Sequence, residues 1–256
     1  MEKYEGYLID LDGTMFRGEE VIVDAPLFIQ KLVDEHIPYL FVTNNSSKTP
    51  AEVAKKLNAM NIKATEEHVF TTSMATANFV REQKAGASCY VIGEEGIKTA
   101  VEEAGLRMTD EDCDFVIFGI DRDITYEKLA KGCLAIRNGA TFISTNGDVS
   151  IPSERGLLPG NGALTAVLSV STNQQPIFIG KPEKIIVEQA LKVLGTKRKK
   201  TLMVGDNYDT DIMAGINAGI DTLMVFTGVT PFHDYAVLKE KPTHYVHHLQ
   251  EWMERI

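Results

Sequence analysis

Several features that mark specialised classes of protein are missing from this 256-residue sequence. Its three cysteines, Cys89, Cys113 and Cys133, have neither the Cys-x-x-Cys spacing of a zinc site nor the even number of a disulfide framework. No run of about 18 apolar residues predicts a membrane span, and residues 1–6 do not begin a secretory signal. We therefore expect a cytoplasmic protein whose cysteines are small buried hydrophobic residues.

Positive charge is also scarce. Lys and Arg number 26 against 36 Asp and Glu, which gives a formal net charge of −10. This balance disfavours a nucleic-acid polymer as partner, because duplex-binding proteins carry a basic face. An acidic protein with an anionic substrate needs a local positive group or a metal ion to offset its own field. The 44% apolar and 24% charged residues are typical of globular domains, and the length allows one or two of them.

Short apolar runs alternate with amphipathic segments along the whole chain, which predicts an α/β fold with parallel sheets. The predicted strands are 6–11, 38–42, 69–71, 89–92, 115–118, 141–144, 176–179, 201–204, 222–225 and 244–246. The predicted helices are 25–35, one that begins after the Thr49 N-cap, 74–82, 126–137, 183–194, 209–218 and 249–255. Segment 144–156 is expected to be a polar loop.

The first chemical signal is Asp10-Leu11-Asp12-Gly13-Thr14, directly after the apolar residues Tyr7-Leu8-Ile9 of the first predicted strand. In extended chain, residues two apart point to the same side, so Asp10 and Asp12 share one side. Two neighbouring carboxylates repel each other, so they need a cation, a proton or different roles. Gly13 permits a sharp turn and close approach of the backbone. An ordinary Asp-Gly turn at the end of a strand would give a similar pattern.

Three further polar clusters follow other predicted strands. Thr43 and Asn44 offer a hydroxyl and backbone N–H groups that suit phosphate oxygens. Lys181 offers a point positive charge. Asp206 adds a carboxylate at a strand end, with Asn207 and Asp211 close behind it, whereas Asp209 fits an N-cap. Each cluster alone is compatible with a turn, a solvated side chain or a helix cap.

Together, the four clusters describe a Mg²⁺-assisted phosphoryl-transfer site. Ligands of open α/β sheets bind beyond the carboxyl ends of the strands, which is where all four clusters fall. Carboxylates supply a nucleophile and hold a hard cation, while hydroxyl, amide and ammonium groups neutralise a phosphoryl group.

The sequence resembles the haloacid dehalogenase (HAD) superfamily of phosphatases, and within it the NagD and p-nitrophenyl phosphatase branch. The resemblance covers essentially the whole chain and is carried by Asp10-x-Asp12-Gly13-Thr14, Val42-Thr43-Asn44-Asn45-Ser46, Gly180-Lys181-Pro182 and Gly205-Asp206-Asn207-x-x-x-Asp211. It implies a Rossmann-like core, a parallel sheet flanked by helices, with a smaller α/β cap domain inserted into it. The implied activity is Mg²⁺-dependent hydrolysis of a small phosphomonoester.

The resemblance also implies a role for each motif residue. Asp10 would be the nucleophile that forms an aspartyl-phosphate, and Asp12 the general acid and base. Phosphate would be bound by Thr43, Asn44 and Lys181. Mg²⁺ would be held by Asp10, the backbone carbonyl of Asp12 and Asp206, and the supporting residues would be Gly13, Asn207 and Asp211.

The long separation of Thr43 from Lys181 locates the inserted domain. We expect a catalytic core formed by residues 1–81 and 176–256, and a cap formed by 82–175. Substrate choice is expected to lie with the polar residues of the cap. The candidates to meet the leaving group are Asn146, Asp148, Glu154 and Arg155.

Other functions are weighed against this one. A phospho-receiver signalling domain also combines acidic residues, Thr and Lys, but it is about half this length and carries its reactive Asp on a middle strand. A dehalogenase needs neither the metal carboxylates nor the Asp12 acid. A HAD phosphomutase stays open, because it shares the aspartyl-phosphate. Sugar phosphates, nucleoside monophosphates, phosphoglycolate and pyridoxal phosphate all stay open as substrates, and so does a homo-oligomer.

Overall fold

The computed structural model describes residues 3–153 and 155–256. Its strands alternate with helices, as an α/β fold requires. The strands are β1 (Gly6–Ile9), β2 (Phe16–Arg17), β3 (Glu20–Val21), β4 (Tyr39–Thr43), β5 (Val69–Thr71), β6 (Ser88–Ile92), β7 (Arg107–Met108), β8 (Phe115–Phe118), β9 (Thr141–Ser144), β10 (Ser150–Ser153), β11 (Gly156–Pro159), β12 (Ile177–Phe178), β13 (Thr201–Gly205), β14 (Asp221–Val225) and β15 (His244–Val246).

The α-helices separate these strands. They are α1 (Ala25–Asp34), α2 (Pro50–Ala59), α3 (Thr72–Gln83), α4 (Glu95–Glu103), α5 (Tyr126–Arg137), α6 (Asn161–Thr172), α7 (Lys184–Leu194), α8 (Met213–Ala218) and α9 (Leu249–Met253). Along the described part of the chain, none of the helices has both the length and the apolar composition needed to cross a bilayer.

The chain forms two compact units, and the first contains a six-stranded sheet. This unit runs to Thr43 and then comprises Pro50–Phe70 and Lys181–Ile256. The strand order is β15-β14-β13-β1-β4-β5. Strand β1 pairs in parallel with both neighbours, so that Ile9 lies opposite Val204 of β13 and Phe41 of β4. The residues that follow these three strands therefore come to one edge of the sheet.

Apolar side chains from both faces of this sheet are buried against helices. Strand β1 is buried along its whole length, as expected for a central parallel strand covered on both sides. Helix α1 buries Phe28 and Leu32, four residues apart on one face, against this core, and Trp252 of α9 packs into the same cluster. This packing makes the sheet a rigid support for the residues at its edge.

The second unit has its own sheet and its own core. It comprises Asn44–Thr49 and Thr71–Gly180, and its five-stranded sheet has the order β12-β9-β8-β6-β7. Strands β6, β8 and β9 pair in parallel, and a cluster that includes Phe118, Ile136 and Leu168 packs beside them. Strands β10 and β11 form a separate antiparallel hairpin.

The structure confirms the predicted α/β class and corrects several local predictions. The segment expected as a polar loop, 144–156, contains strand β10 and the first residue of β11, and these two strands form an antiparallel hairpin. The helix predicted over 209–218 begins instead with a π-helical turn, Tyr208–Ile212, before α8. The predicted strand 176–179 is shorter, and it pairs with β9 in the second unit. Strands β2, β3 and β7 and helices α4 and α6 were not predicted.

Two further expectations concern the cysteines and the inserted domain. Cys89 is buried, whereas Cys113 and Cys133 are partly exposed, so the expectation of burial is met by Cys89 alone. Burial raises the pKa of the Cys89 thiol to about 12. The predicted insertion, 82–175, begins and ends inside the second unit, and its role as a substrate-specificity cap stays a prediction.

Candidate active site

Four of the predicted residues meet in the first unit as a buried ionic cluster. Asp10 follows β1 and Asp206 follows β13, and the two strands are neighbours in the sheet. Lys181 and Asp211 complete the group, and each of the four is less than a tenth exposed. Burying a cluster of this kind costs free energy, because every ion in it loses hydration.

The Lys181 ammonium group joins two of the carboxylates. Its Nζ donates to Asp10 Oδ1 at 2.5 Å and to Asp211 Oδ1 at 2.7 Å. The third donor position is used by the backbone carbonyl of Val42 at 3.1 Å, one residue before Thr43. Burial alone would lower the pKa of Lys181, but Asp10 and Asp211 outweigh it and raise that pKa. The lysine is therefore a fixed positive charge at this edge of the sheet.

The negative charges in the cluster exceed the positive one. One oxygen from each of Asp10, Asp206 and Asp211 can be chosen so that all three lie within 4.8 Å of one another. Burial, followed by repulsion from Asp211, raises the pKa of Asp206 to about 6 and raises that of Asp10 well above its ordinary value. Buried carboxylate oxygens with a surplus of negative charge are a donor set that fits a hard divalent cation such as Mg²⁺.

Small residues and hydrogen bonds hold Asp206 in place. Its carboxylate accepts from Val229 N at 2.6 Å and from Thr14 Oγ1 at 3.0 Å. A Cβ atom would come within 2.3 Å of Asp206 Oδ2 at Gly13 and within 1.9 Å at Gly228. Gly13 also has a φ of +94°, a conformation that favours glycine and that fits the sharp turn predicted here. Glycine is needed at both positions to let this carboxylate lie against the backbone.

The segment after β14 contributes to the site, although the predicted site residues do not include Thr227, Gly228 or Val229. Thr227 Oγ1 donates to the carbonyl of Gly13 at 2.7 Å and so joins the segment after β14 to the first motif. The sequence does carry a signal here, a polar residue followed by glycine that begins two residues after the predicted strand 222–225. That signal has the same form as the clusters that were selected, at the end of the next strand in the sheet.

Asp211 is placed by the π-helical turn. Its carboxylate accepts from the backbone N–H of Asn207 at 3.1 Å, and a Cβ at Gly205 would lie 2.2 Å from Asp211 Cβ. The N-cap predicted at Asp209 is wrong, because Asn207 is the N-cap and its side chain accepts from Asp209 N at 3.0 Å. Such turns are rare and often occur at functional sites. Asp211 is the fourth residue of this turn, and its Oδ1 accepts from Lys181 Nζ.

Asp12 lies outside the buried cluster. Its side chain is exposed, and its backbone is part of the turn in which Gly13 N donates to Phe16 O at 2.7 Å. The surrounding protein removes part of the water around the Asp12 carboxyl, and this raises its pKa. The positive charge of Lys56 and a hydrogen bond with the backbone of Gly18 act in the opposite direction but are weaker. An exposed carboxyl with a raised pKa is suited to proton transfer with a bound molecule.

The structure does not bring all the remaining predicted residues together. Thr43 is buried at the end of β4 in the first unit. Asn44, Asn146 and Asp148 are brought together in the second unit: Asn44 Nδ2 donates to Asp148 Oδ1 at 3.1 Å, and Asn146 Nδ2 donates to Asn44 O at 2.8 Å. Arg155 is exposed on the turn between β10 and β11, and Glu154 lies outside the described residues.

Family models and individual relatives of known function place the chain in the same family. The model of haloacid dehalogenase-like hydrolases matches residues 7–107, and a HAD-hydrolase-like model matches residues 178–252. The chain is 65% identical over 256 residues to the 5'-nucleotidase YutF of Bacillus subtilis (strain 168), with 100% of both chains covered. It is 54% identical over 245 residues to an acid sugar phosphatase of Staphylococcus epidermidis (strain ATCC 12228 / FDA PCI 1200), covering 95% of each.

Solved structures agree with these sequence relatives. The p-nitrophenyl phosphatase from Archaeoglobus fulgidus has a TM-score of 0.93 at 29% identity, with 100% of both chains covered. NagD from E. coli K-12 has a TM-score of 0.92 at 31% identity, with 98% of both chains covered. With full-length phosphatases at 65% and 54% identity, the chain is a phosphoric monoester hydrolase of small substrates. It belongs to the haloacid dehalogenase-like hydrolases, in the branch of NagD and the p-nitrophenyl phosphatases.

Proposed function

We propose that the chain hydrolyses small phosphomonoesters in a Mg²⁺-dependent reaction through an aspartyl-phosphate on Asp10. The observation that supports this most directly is the buried hydrogen bond of 2.5 Å between Lys181 Nζ and Asp10 Oδ1. The ammonium group opposes the effects of burial and of Asp211, which on balance raise the pKa of Asp10. It also places a positive charge beside the atom that would attack phosphorus.

The proposed residues for Mg²⁺ are Asp10, the backbone carbonyl of Asp12 and Asp206, with Asp211 and Asn207 in support. The three carboxylates are buried and close together, as an oxygen-ligand site requires. When bound, the ion would neutralise the carboxylates and the transferring phosphoryl oxygens. The hydrogen bonds from Thr14 and Val229 would keep Asp206 oriented for this purpose.

The proposed reaction has two steps that use the same two aspartates. In the first, an oxygen of Asp10 attacks phosphorus, the bond to the leaving oxygen breaks, and Asp12 donates a proton to that oxygen. In the second, Asp12 takes a proton from water, the water oxygen attacks phosphorus, and Asp10 and inorganic phosphate are released. One carboxyl thereby acts first as acid and then as base.

The phosphoryl group would be held by Thr43, by the amide of Asn44 that follows it, and by Lys181. Thr43 supplies a hydroxyl at the end of a rigid strand, and Lys181 is fixed to the same strand through Val42 O. Positioning and charge neutralisation account for most of the rate enhancement in phosphoryl transfer. These groups bind only the phosphate, so they leave the identity of the alcohol open.

The substrate class proposed is a nucleoside monophosphate or a small sugar phosphate. Two relatives of more than half identity bear these two kinds of name, one a 5'-nucleotidase and the other an acid sugar phosphatase. A kinetic screen over nucleoside monophosphates, sugar phosphates, phosphoglycolate and pyridoxal phosphate would decide between them. A large difference in kcat/KM between the first two classes would identify the preferred one, and a flat profile would indicate a broad housekeeping activity.

The mechanism is tested by Asp10→Asn and Asp12→Asn with p-nitrophenyl phosphate as the probe. Asp10→Asn should abolish turnover, because no phosphoryl acceptor remains. Asp12→Asn should lower kcat at least ~100-fold, the usual contribution of a general base, because water loses its proton acceptor in the second step. The p-nitrophenolate ion leaves without a proton, so the covalent species should stay detectable by mass spectrometry. Circular dichroism would show that both variants keep the fold. Retained turnover in Asp10→Asn would overturn the mechanism.

A further inference from the structure

The turn after β9, Thr145–Asp148, is joined by hydrogen bonds to a distant part of the chain. Asn44 Nδ2 donates to both carboxylate oxygens of Asp148, at 3.1 and 3.3 Å. Asn146 Nδ2 donates to the carbonyl of Asn44 at 2.8 Å. Both the side chain and the backbone of Asn44 are thereby held by this turn. All of these residues belong to the second unit.

The turn itself is firmly built. Asn146 is 4% exposed, and its Oδ1 accepts from Asp148 N at 3.0 Å. Asn161, at the start of α6, is 2% exposed, and its Nδ2 donates to Asn146 O at 2.8 Å. Gly162 N donates to Asp148 O at 2.8 Å. A turn fixed from several sides can impose a conformation on the segment that it contacts.

Residue Gly180 contacts the same turn. Its N–H donates to Thr145 O at 2.8 Å. A Cβ at this position would lie 2.6 Å from Asn44 Oδ1 and 2.9 Å from Asn146 Cβ. Asn44 directly follows Thr43, and Gly180 directly precedes Lys181. The turn therefore holds the chain neighbours of both residues proposed to bind the phosphoryl group.

We infer that Asn146 and Asp148 are positioning residues that act through Asn44, and that they do not contact the leaving group. The inference rests on the proposed function, because it assigns them the task of orienting the segment after Thr43 for phosphate. Their side-chain hydrogen-bonding atoms are engaged with Asn44 and with the turn itself. Side chains held in this way orient Asn44, which would contact the phosphate that all phosphomonoesters share. Their loss should therefore weaken the binding of every phosphomonoester by the same factor.

The test compares Asp148→Ala, Asn44→Ala and the double variant on two substrates with different leaving groups, p-nitrophenyl phosphate and glucose 6-phosphate. Loss of a hydrogen bond to a charged group should lower kcat/KM roughly tenfold in Asp148→Ala, and by the same factor for both substrates. The inhibition constant of inorganic phosphate, which has no leaving group, should rise by a similar factor. The double variant should lose no more than Asn44→Ala alone.

Two further variants separate positioning from misfolding. Asp148→Asn keeps an acceptor oxygen and should recover most of the loss, whereas Asp110→Ala, at an exposed carboxylate of the second unit, should change nothing. A loss that differs between substrates, an additive double variant, or wild-type kinetics in Asp148→Ala would each overturn the inference.

The local contact can also be measured without turnover. In a ¹H–¹⁵N spectrum, Asp148→Asn should move the side-chain amide signal of Asn44 and leave that of Asn58 in place. An unmoved Asn44 signal would overturn the inference even in an active enzyme. A wild-type protein without Mg²⁺-dependent hydrolysis would instead overturn the proposed function, so the two failures are distinguishable.

Discussion

At the scale of residues, the site is governed by how closely its charges approach the backbone. Asp206 is completely buried, yet it lies against two glycines and accepts a backbone N–H and a hydroxyl. These contacts replace part of the water that the carboxylate gives up on burial. The absence of side chains at Gly13 and Gly228 is therefore as much a part of the site as the carboxylates.

Gly228→Ala should weaken Mg²⁺ binding by at least tenfold. The new Cβ would lie 1.9 Å from Asp206 Oδ2 and 2.8 Å from Gly13 Cα, so the carboxylate must turn away. Misplaced ligands or their supports usually cost ~10–100-fold in metal affinity. Isothermal titration with MgCl₂ would measure the change. Val229→Ala is the matched control, because its exposed side chain is removed while the N–H that binds Asp206 remains. Equal affinity in Gly228→Ala and wild type would contradict the steric argument.

At the scale of elements, the strand ends were predictable and the details of the connections were not. Asp10, Lys181 and Asp206 could be selected from the sequence because apolar runs mark strands, and polar residues directly after them stand out. The π-helical turn at Tyr208–Ile212 leaves no such periodic signal. The bond between Asn146 and Asn44 joins residues 102 apart, and no pattern in one sequence gives that pairing. The polarity of Asn146 is therefore visible in the sequence, whereas its hydrogen bond to Asn44 is not.

One prediction concerns how α3, β6 and β8 are joined. Asp114, just before β8, accepts from Lys84 Nζ after α3 at 2.7 Å and from Ser88 N in β6 at 3.0 Å. These bonds lower the pKa of Asp114 to about 2. Because the folded state favours the ionised form, this contribution to stability is complete above about pH 4, where the unfolded-state carboxyl ionises, and is lost as the pH falls towards 2.

Asp114→Asn should therefore be less stable than wild type at pH 7 by on the order of 1 kcal/mol, the usual net contribution of such hydrogen bonds. The difference should shrink below pH 4. Urea unfolding followed by circular dichroism across this range would measure it, with Asp112→Asn, an exposed position in the same segment, as the control. A difference that stays constant from pH 7 to pH 3 would contradict the electrostatic origin.

At the scale of the whole molecule, acidity and function are linked. The net charge of −10 makes the chain a poor binder of polyanions, but three of its carboxylates are concentrated beside one lysine in the first unit. The residues of this cluster come from both ends of the chain, and the second unit lies largely between them in sequence. Without a cation, the cluster holds more negative than positive charge in a buried place, which opposes folding.

Asp206→Asn should consequently stabilise the protein in EDTA while it removes activity. Because burial and Asp211 raise the pKa of Asp206 to about 6, ionised Asp206 opposes folding, and this cost develops as the pH rises from about 4 to 6. Asparagine removes the charge but can still accept from Val229 N, and its Nδ2 can donate to Thr14 Oγ1. We expect a gain of roughly 2 kcal/mol at pH 7.5 and little at pH 4, from the free energy per pKa unit.

Saturating Mg²⁺ should stabilise wild type, by about 2.7 kcal/mol at 100 times its Kd, and should stabilise the variant far less. Urea unfolding of wild type and Asp206→Asn, with EDTA or MgCl₂ at both pH values, would measure these differences in the free energy of unfolding. Asp110→Asn, at an exposed carboxylate, is the control. A variant that is less stable than wild type in EDTA at pH 7.5 would show that the hydrogen bonds of Asp206, and not its charge, dominate its contribution to folding.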